Sequence, residues 1–92
     1  MQAAVTVLYT NSGFTPATIH LTVGQTVIFK NTTDTDMWVA SNPHPAHTDY
    51  SGFDEGRGQM RDSEYAFAFT RRGTWGYHNH LSPDRGGQVV VE

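Results

Sequence analysis

The sequence predicts an all-β fold, an antiparallel sandwich or barrel of about seven short strands, and two observations predict it. Residues of two kinds alternate in several runs: apolar and polar residues in 18–23, the cleaner half-buried strand, and aromatic residues with alanine or threonine in 65–70. This period of two is typical of strands that bury one face. Short clusters of turn residues separate the runs. No window in the 92 residues has the period of an amphipathic helix.

The apolar runs assign the strands in chain order. The first run is apolar on both faces, whereas the second has a polar face on which His20 lies. We therefore expect His20 to be a solvated surface residue. The predicted strands are residues 4–9, 18–23, 27–29, 65–70, 75–77 and 89–91, and the predicted turns are residues 11–13, 23–25, 71–73 and 84–87.

One segment, residues 42–63, interrupts this pattern. It has no periodicity, and it contains two prolines and three glycines. Loops of this length inside compact domains are usually functional or disordered. Because Tyr50 and Phe53 lie within it, we expect the segment to pack onto the body of the fold.

Length and composition restrict the class of protein. A chain of 92 residues has room for one domain, residues 1–92, with a thin core. The absence of cysteine excludes disulfides, thiolate zinc fingers, iron–sulfur clusters and a thiol nucleophile. A formal charge of −3 argues against nucleic-acid binding. No stretch approaches the roughly 20 apolar residues of a transmembrane helix. Met1 and Gln2 run into a strand-like segment without the features of a leader, as they also would in a mature exported chain.

Four of the five histidines come in two close pairs. His44 and His47 lie in the long segment with Pro-Ala between them, and His78 and His80 follow the predicted strand 75–77. An H-x-H pair on a strand points both rings to the same face, and the proline in the loop pair limits the entropy lost on ordering. Four imidazoles can complete a tetrahedral or tetragonal site for copper, zinc, nickel or iron without a thiolate. Two pairs in one small domain therefore favour metal binding over four surface histidines, provided that the fold brings them together.

Two stretches of the chain resemble cupredoxins. Residues 14–31 begin with Phe-Thr-Pro and include the second and third predicted strands, and residues 73–91 contain Tyr-His-Asn-His and end in three valines. The two stretches occur along the chain in the same order as in that family. The resemblance implies a Greek-key β-sandwich with a metal site at one end of the strands. It also implies a periplasmic or extracellular location.

The expected copper ligands depart from that family pattern. Cupredoxins with a blue site carry cysteine, histidine and usually methionine in the last loop, where this chain has Asn79, Ser82 and Arg85. Met37 stands where the family has its first histidine ligand. A blue type 1 site is excluded, because the thiolate that it needs is absent.

The two histidine pairs are similar to a different set of ligands. His-Pro-Ala-His at 44–47 and Tyr-His-Asn-His at 77–80 are similar to the His-Pro-x-His and Tyr-His-x-His motifs of multicopper oxidases. Residues 38–45 also look like a group of small bacterial cupredoxin-like proteins with a histidine-rich site. The similarity implies that copper is bound in a non-blue site, with zinc as the second choice. The implied ligands are His44, His47, His78 and His80.

Strand parity predicts where such a site lies. Trp75 and Tyr77 face the core, so Asn79 points inward, and His78 and His80 point outward. The site is then on the outer face or rim of the sandwich. The long segment must fold across that rim to bring its histidine pair, or else reach a neighbouring subunit, in which case the rim also joins an oligomer.

The residues around the histidines are predicted to have ordinary roles. A carboxylate within residues 49–55 could accept an N–H from a ligand imidazole, but we expect solvated loop charges. Met37 and Met60 could bind Cu(I), although filling the core is the commoner role of methionine. Trp38 is expected to be a packing residue.

These observations favour a copper-binding protein that acts in extracytoplasmic copper binding or electron transfer, with a metal ion and a redox partner protein as partners. Two alternatives stay open. One is a small copper- or zinc-dependent redox enzyme with an open coordination position, for which the sequence shows no acid–base partner beyond the loop carboxylates. The other is a metal-free structural or interaction sandwich that has lost the site of the family.

Overall fold

A computed structural model describes residues 3–92, and within this range the chain forms eight strands and no helix. Met1 and Gln2, from which the expectation about a leader starts, lie outside the described range. Residues 3–92 accordingly contain no helix that is long and apolar enough to cross a membrane. The strands are β1 (Val5–Thr10), β2 (Gly13–Thr15), β3 (Thr18–Leu21), β4 (Thr26–Asn31), β5 (Val39–Ser41), β6 (Glu64–Ala68), β7 (Gly73–Asn79) and β8 (Ser82–Val91).

The strands form two four-stranded sheets, in the orders β2-β1-β4-β6 and β3-β8-β7-β5. Both sheets contribute to one core. Val7 and Phe29 come from the first sheet, Tyr77 and Val89 come from the second, and all four are buried. The arrangement confirms the predicted all-β sandwich.

Two strand pairs differ from the predicted antiparallel arrangement. β1 runs parallel to β4, and β3 runs parallel to β8, whereas the other pairs are antiparallel. Parallel neighbours need a connection that leaves the pair and returns. Between β1 and β4 the chain passes through β3, which belongs to the other sheet. Alternation cannot reveal such a crossover, because it reports only which side of a strand is buried.

The first strand is buried on one face only, although the run from which it was assigned is apolar on both faces. Val7 and Tyr9 lie in the core, while Leu8 between them is 37% exposed. β1 belongs to a sheet whose outer side faces solvent, and a single exposed leucine on such a surface is ordinary.

The last strand is longer than predicted. β8 spans Ser82–Val91, so residues 84–87, which were predicted to be a turn, lie inside it. A Cβ atom on Gly86 would clash with the carbonyl oxygen of Tyr77 on the neighbouring β7. Glycine is needed here for the close approach of two strands and not for a reversal of the chain.

The long segment, residues 42–63, contains no strand, and it packs onto the body of the fold as predicted. Tyr50 is 3% exposed, and Phe53 is fully buried. The ring centroid of Phe53 lies 5.7 Å from that of Phe29 and 5.0 Å from that of Phe67. Tyr50 and Phe53 thus form an aromatic anchor, which holds the segment in the core between the two sheets.

Truncation of this anchor should be costly. We expect Phe53→Ala to lower the free energy of unfolding by about 3–5 kcal/mol, because a fully buried ring is replaced by a cavity. Met60→Ala is the matched control, since Met60 lies in the same segment but is 73% exposed. It should change the free energy by less than about 0.5 kcal/mol. Denaturant titration measures both, and equal small effects would contradict the anchoring role of Phe53.

Candidate metal centre

His78 and His80 lie at the end of β7. Alternation along the strand places Tyr77 in the core and His78 on the opposite side of the sheet, in agreement with the parity argument. His78 is nevertheless only 3% exposed, because the long segment covers it. His80 follows the last residue of the strand, Asn79, and its backbone N–H donates to the carbonyl of Trp38 at 2.7 Å.

The first part of the long segment is held against β7 by hydrogen bonds. The backbone N–H of Asn42 donates to the carbonyl of Gly76 at 3.0 Å, and the side-chain oxygen of Asn42 lies 2.7 Å from Nδ1 of His78. The N–H of His47 donates to the carbonyl of Pro43 at 2.7 Å. These bonds fix the turn that carries the first histidine pair.

The backbone of His47 is in the left-handed region, with a φ of 54°. Residues other than glycine rarely adopt this conformation, which costs on the order of 1 kcal/mol and persists where surrounding contacts require it. In this turn the ring of His47 is held by contacts on both of its nitrogens, to Asp54 and to His80. The strain therefore occurs at a residue whose side chain is tightly positioned.

The four paired histidines converge. One ligand nitrogen from each of His44, His47, His78 and His80 lies within 4.8 Å of all the others. Nδ1 of His44 is 3.3 Å from Nε2 of His78, and Nδ1 of His80 is 3.1 Å from Nε2 of His47. The cluster forms within one chain, so the second possibility, a pair delivered to a neighbouring subunit, is not needed to bring the rings together.

The spacing within two pairs of these nitrogens fits a metal ion. Metal–imidazole bonds of about 2.0–2.1 Å separate the ligand atoms of a tetrahedral ion by roughly 3.3 Å, and adjacent ligands of a square-planar ion by roughly 2.9 Å. The close pairs, at 3.1 and 3.3 Å, fall in this range. Imidazole is a ligand that copper and zinc both accept. The residues present therefore suit an ion with four nitrogen ligands.

Polar neighbours hold the outer nitrogens of two of the rings. The side-chain oxygen of Asn42 accepts from Nδ1 of His78, and Oδ2 of Asp54 lies 3.1 Å from Nδ1 of His47. Nε2 of both rings therefore faces the cluster. Histidines that bind metals usually donate their second N–H to such an oxygen, which fixes the tautomer and the ring orientation. The prediction that Asp54 is merely a solvated loop charge is wrong.

Trp38 connects Asp54 to the second histidine pair. Its indole N–H donates to Oδ1 of Asp54 at 2.7 Å, and its ring centroid lies 4.3 Å from that of His80. The N–H of Gly56 donates to the same carboxylate oxygen at 2.9 Å. Partial burial alone would raise the pKa of Asp54, but the bonds from Trp38 and Gly56 and the contact with His47 lower this pKa below its ordinary value. Asp54 is therefore a fixed negative charge beside the cluster.

The environment of the second pair disfavours protonation. Burial, followed by the proximity of His47, His44 and His80, lowers the pKa of His78 to about 4. Burial, followed by the proximity of His47 and His44, also lowers the pKa of His80. Both rings are uncharged at neutral pH, which is the state in which an imidazole can bind a metal.

Sequence reasoning missed Asn42 as part of the site and gave Trp38 only a packing role. Neither residue stands at a spacing from the histidines that marks a partner, because both contacts are made across the fold. The one signal available is that both lie in residues 38–45, the run that resembles small bacterial cupredoxin-like proteins.

The positions that the resemblance gives to blue-copper ligands have other roles. Met37 is fully buried in the core, as predicted. The side-chain oxygen of Asn79 accepts from the N–H groups of Trp38 at 3.0 Å and Leu81 at 3.1 Å. At Asn79, hydrogen bonds occupy the oxygen of the residue that replaces the cysteine.

Met60 and His20 lie at the surface. Met60 is 73% exposed, so the prediction of core filling is wrong for this methionine. His20 is exposed, as predicted, and its Nδ1 lies 3.8 Å from Oε1 of Glu92.

The lowered pKa of His78 has a consequence for the metal-free protein. In the unfolded chain the imidazole of His78 is protonated as the pH falls below about 6.5, whereas in the folded chain its pKa is about 4. The unfolding free energy should therefore fall by up to about 3 kcal/mol from this residue as the pH drops through that window. Denaturant titration of wild type and His78→Gln at several pH values measures the contribution of His78 to the pH dependence of the unfolding free energy. An unchanged slope in His78→Gln would contradict the assignment.

Comparison with solved structures identifies the fold. A reduced Cu(I) form at pH 4 of a proline-to-glycine variant of amicyanin, a cupredoxin, matches with a TM-score of 0.80 and 25% identity, over 100% of this chain and 85% of that chain. A reduced tryptophan-to-tyrosine variant of amicyanin matches with a TM-score of 0.82 and 26% identity, over 97% of this chain and 82% of that chain. No protein-family model matches the chain, and no curated protein matches it significantly. The chain has a cupredoxin-like fold that carries a cluster of four histidines.

Proposed function

We propose that this chain is a copper-binding protein with a non-blue site formed by His44, His47, His78 and His80. We propose further that it acts in copper binding or one-electron transfer outside the cytoplasm. The observation that carries the proposal is the convergence of four imidazole nitrogens within 4.8 Å of one another. A cation at their centre would be bound by four neutral donors at once.

The donor set and the fold both support copper. Copper(II) binds a given set of nitrogen ligands more tightly than zinc does. The amicyanin structures that share this fold include Cu(I) and oxidized forms. The site would not be blue, because the chain has no cysteine to supply the thiolate. When bound, copper supplies one-electron chemistry by alternating between Cu(II) and Cu(I).

The residues of the chain would have distinct tasks at such a site. Asn42 and Asp54 orient the rings of His78 and His47 so that Nε2 of each faces the centre. Burial keeps His78 unprotonated. Asp54 also places a negative charge next to the ligands, which offsets part of the positive charge of a bound ion.

Binding or electron transfer has more support than turnover of a small molecule. A cavity of about 370 Å³ is lined by residues that include Asp36, Arg57 and Met60, and one of about 230 Å³ by residues that include Tyr9 and Arg85. Neither is lined by a histidine of the cluster. The proposal places the protein outside the cytoplasm, because the cupredoxins that the chain resembles are found outside the cytoplasm. For electron transfer, it also includes a redox partner protein.

Metal analysis with an absorption spectrum tests the proposal. Protein from a copper-supplemented culture should hold about one copper ion per chain, with weak d–d absorption and no intense blue band. The double variant His47→Ala, His78→Ala should bind Cu(II) at least about 100-fold more weakly, measured by competition with a chelator. His20→Ala, which removes an exposed histidine outside the cluster, is the control and should bind as wild type does.

Two results would contradict the proposal. Wild-type protein that holds no copper would favour the metal-free sandwich. Copper held equally well by the double variant would overturn the ligand assignment.

A further inference from the structure

The four histidines of the cluster are held unequally. His78 is buried and bonded to Asn42 at 2.7 Å. His47 has a side chain that is only 8% exposed, and it contacts Asp54 at 3.1 Å. His80, as described above, is fixed through its backbone N–H and through the ring contact with Trp38. Each of these three rings is therefore positioned by at least one residue outside the cluster.

His44 is different, because it is solvent-exposed. Among residues 3–92, its side chain makes its hydrogen bond and its ring contacts only with the other three histidines. Within residues 3–92, no hydrogen-bond acceptor holds the second ring nitrogen of His44. Rotation of this ring into solvent would therefore break contacts within the cluster and no others of these kinds.

The backbone beneath His44 is fixed, so its freedom lies in the side chain. Prolines at residues 43 and 45 restrict the chain on both sides. The hydrogen bond from His47 to Pro43 closes the turn, and the N–H of Asp49 donates to the carbonyl of Asn42 at 2.9 Å. Exposed side chains change rotamer in picoseconds to nanoseconds. The ring can leave and return without a rearrangement of the loop.

We propose that His44 is the exchangeable ligand of the cluster, and that an external nitrogen donor of the imidazole class can take its place. This inference rests on the proposed function. The other three histidines would stay bound to the metal ion while the ring of His44 turns outward. An ion could therefore also enter or leave the site on the side of His44. The position thus gives the site one replaceable ligand and three permanent ones.

A first test uses the metal-free protein. Diethyl pyrocarbonate modifies neutral imidazoles according to their accessibility, and peptide mass spectrometry reports each histidine separately. His44 should react at nearly the rate of exposed His20 and at least about tenfold faster than His78. Equal rates at His44 and His78 would overturn the inference, whether or not the protein binds copper.

A second test uses Cu(II). His44→Ala should lower the affinity about tenfold, and added ¹⁵N-imidazole should restore it and introduce a ¹⁵N coupling in the electron paramagnetic resonance spectrum. His78→Ala should lose at least about 100-fold, and imidazole should not restore it, because that position is enclosed. His47→Asn is a second comparison in case His78→Ala does not fold, since asparagine tolerates the left-handed backbone.

The outcomes separate the two proposals. Wild-type protein that binds no Cu(II) overturns the proposed function. Wild-type protein that binds Cu(II), with a loss in His44→Ala as large as in the comparison variants or with no uptake of imidazole, overturns only the exchangeable role of His44.

Discussion

Burial of Tyr50 and Phe53 in the core is the interaction on which the histidine cluster depends. The ring centroid of Phe53 lies 5.7 Å from that of Phe29 in one sheet and 5.9 Å from that of Tyr77 in the other, and that of Tyr50 lies 4.8 Å from that of Trp75. Burying one such side chain stabilises the fold by roughly 2–3 kcal/mol, whereas ordering the backbone costs about 1–2 kcal/mol per residue. Two aromatic rings therefore account for only part of what holds the long segment in place.

Hydrogen bonds and prolines supply the remainder, and they act where the histidines lie. The N–H of Ser41 donates to the carbonyl of Phe53 at 2.8 Å, and the hydroxyl of Ser41 accepts from the N–H of Tyr50 at 2.9 Å. The prolines around His44 reduce the conformational entropy of the unfolded chain. The segment is thus fixed to the core on one side and to β7 on the other. The resulting enclosure also keeps the ring of His78 uncharged, so packing and ligand chemistry have a common origin.

Much of this architecture could be predicted from the sequence, because alternation directly reports which side of a strand is buried. The same parity placed His78 on the outer side of its sheet, and the two histidine pairs identified the cluster. The parallel strand pairs and the strand through residues 84–87 could not be predicted, because they depend on crossovers and close backbone approach between distant segments. The contact of Asn42 was missed, and that of Asp54 was considered but ranked below a solvated charge, for a related reason. A polar side chain in a loop reads as solvated until the fold brings an imidazole nitrogen within hydrogen-bonding distance.

In the proposed site, four imidazoles from two distant parts of the chain share one ion. X-ray absorption at the copper edge of the copper-loaded protein tests it most directly. We expect a first shell of three to four nitrogen atoms at about 2.0 Å, with the outer-shell scattering of imidazole rings and no sulfur. A sulfur scatterer, which only a methionine of this chain could provide, or a shell with the scattering of fewer than three imidazoles, would contradict it.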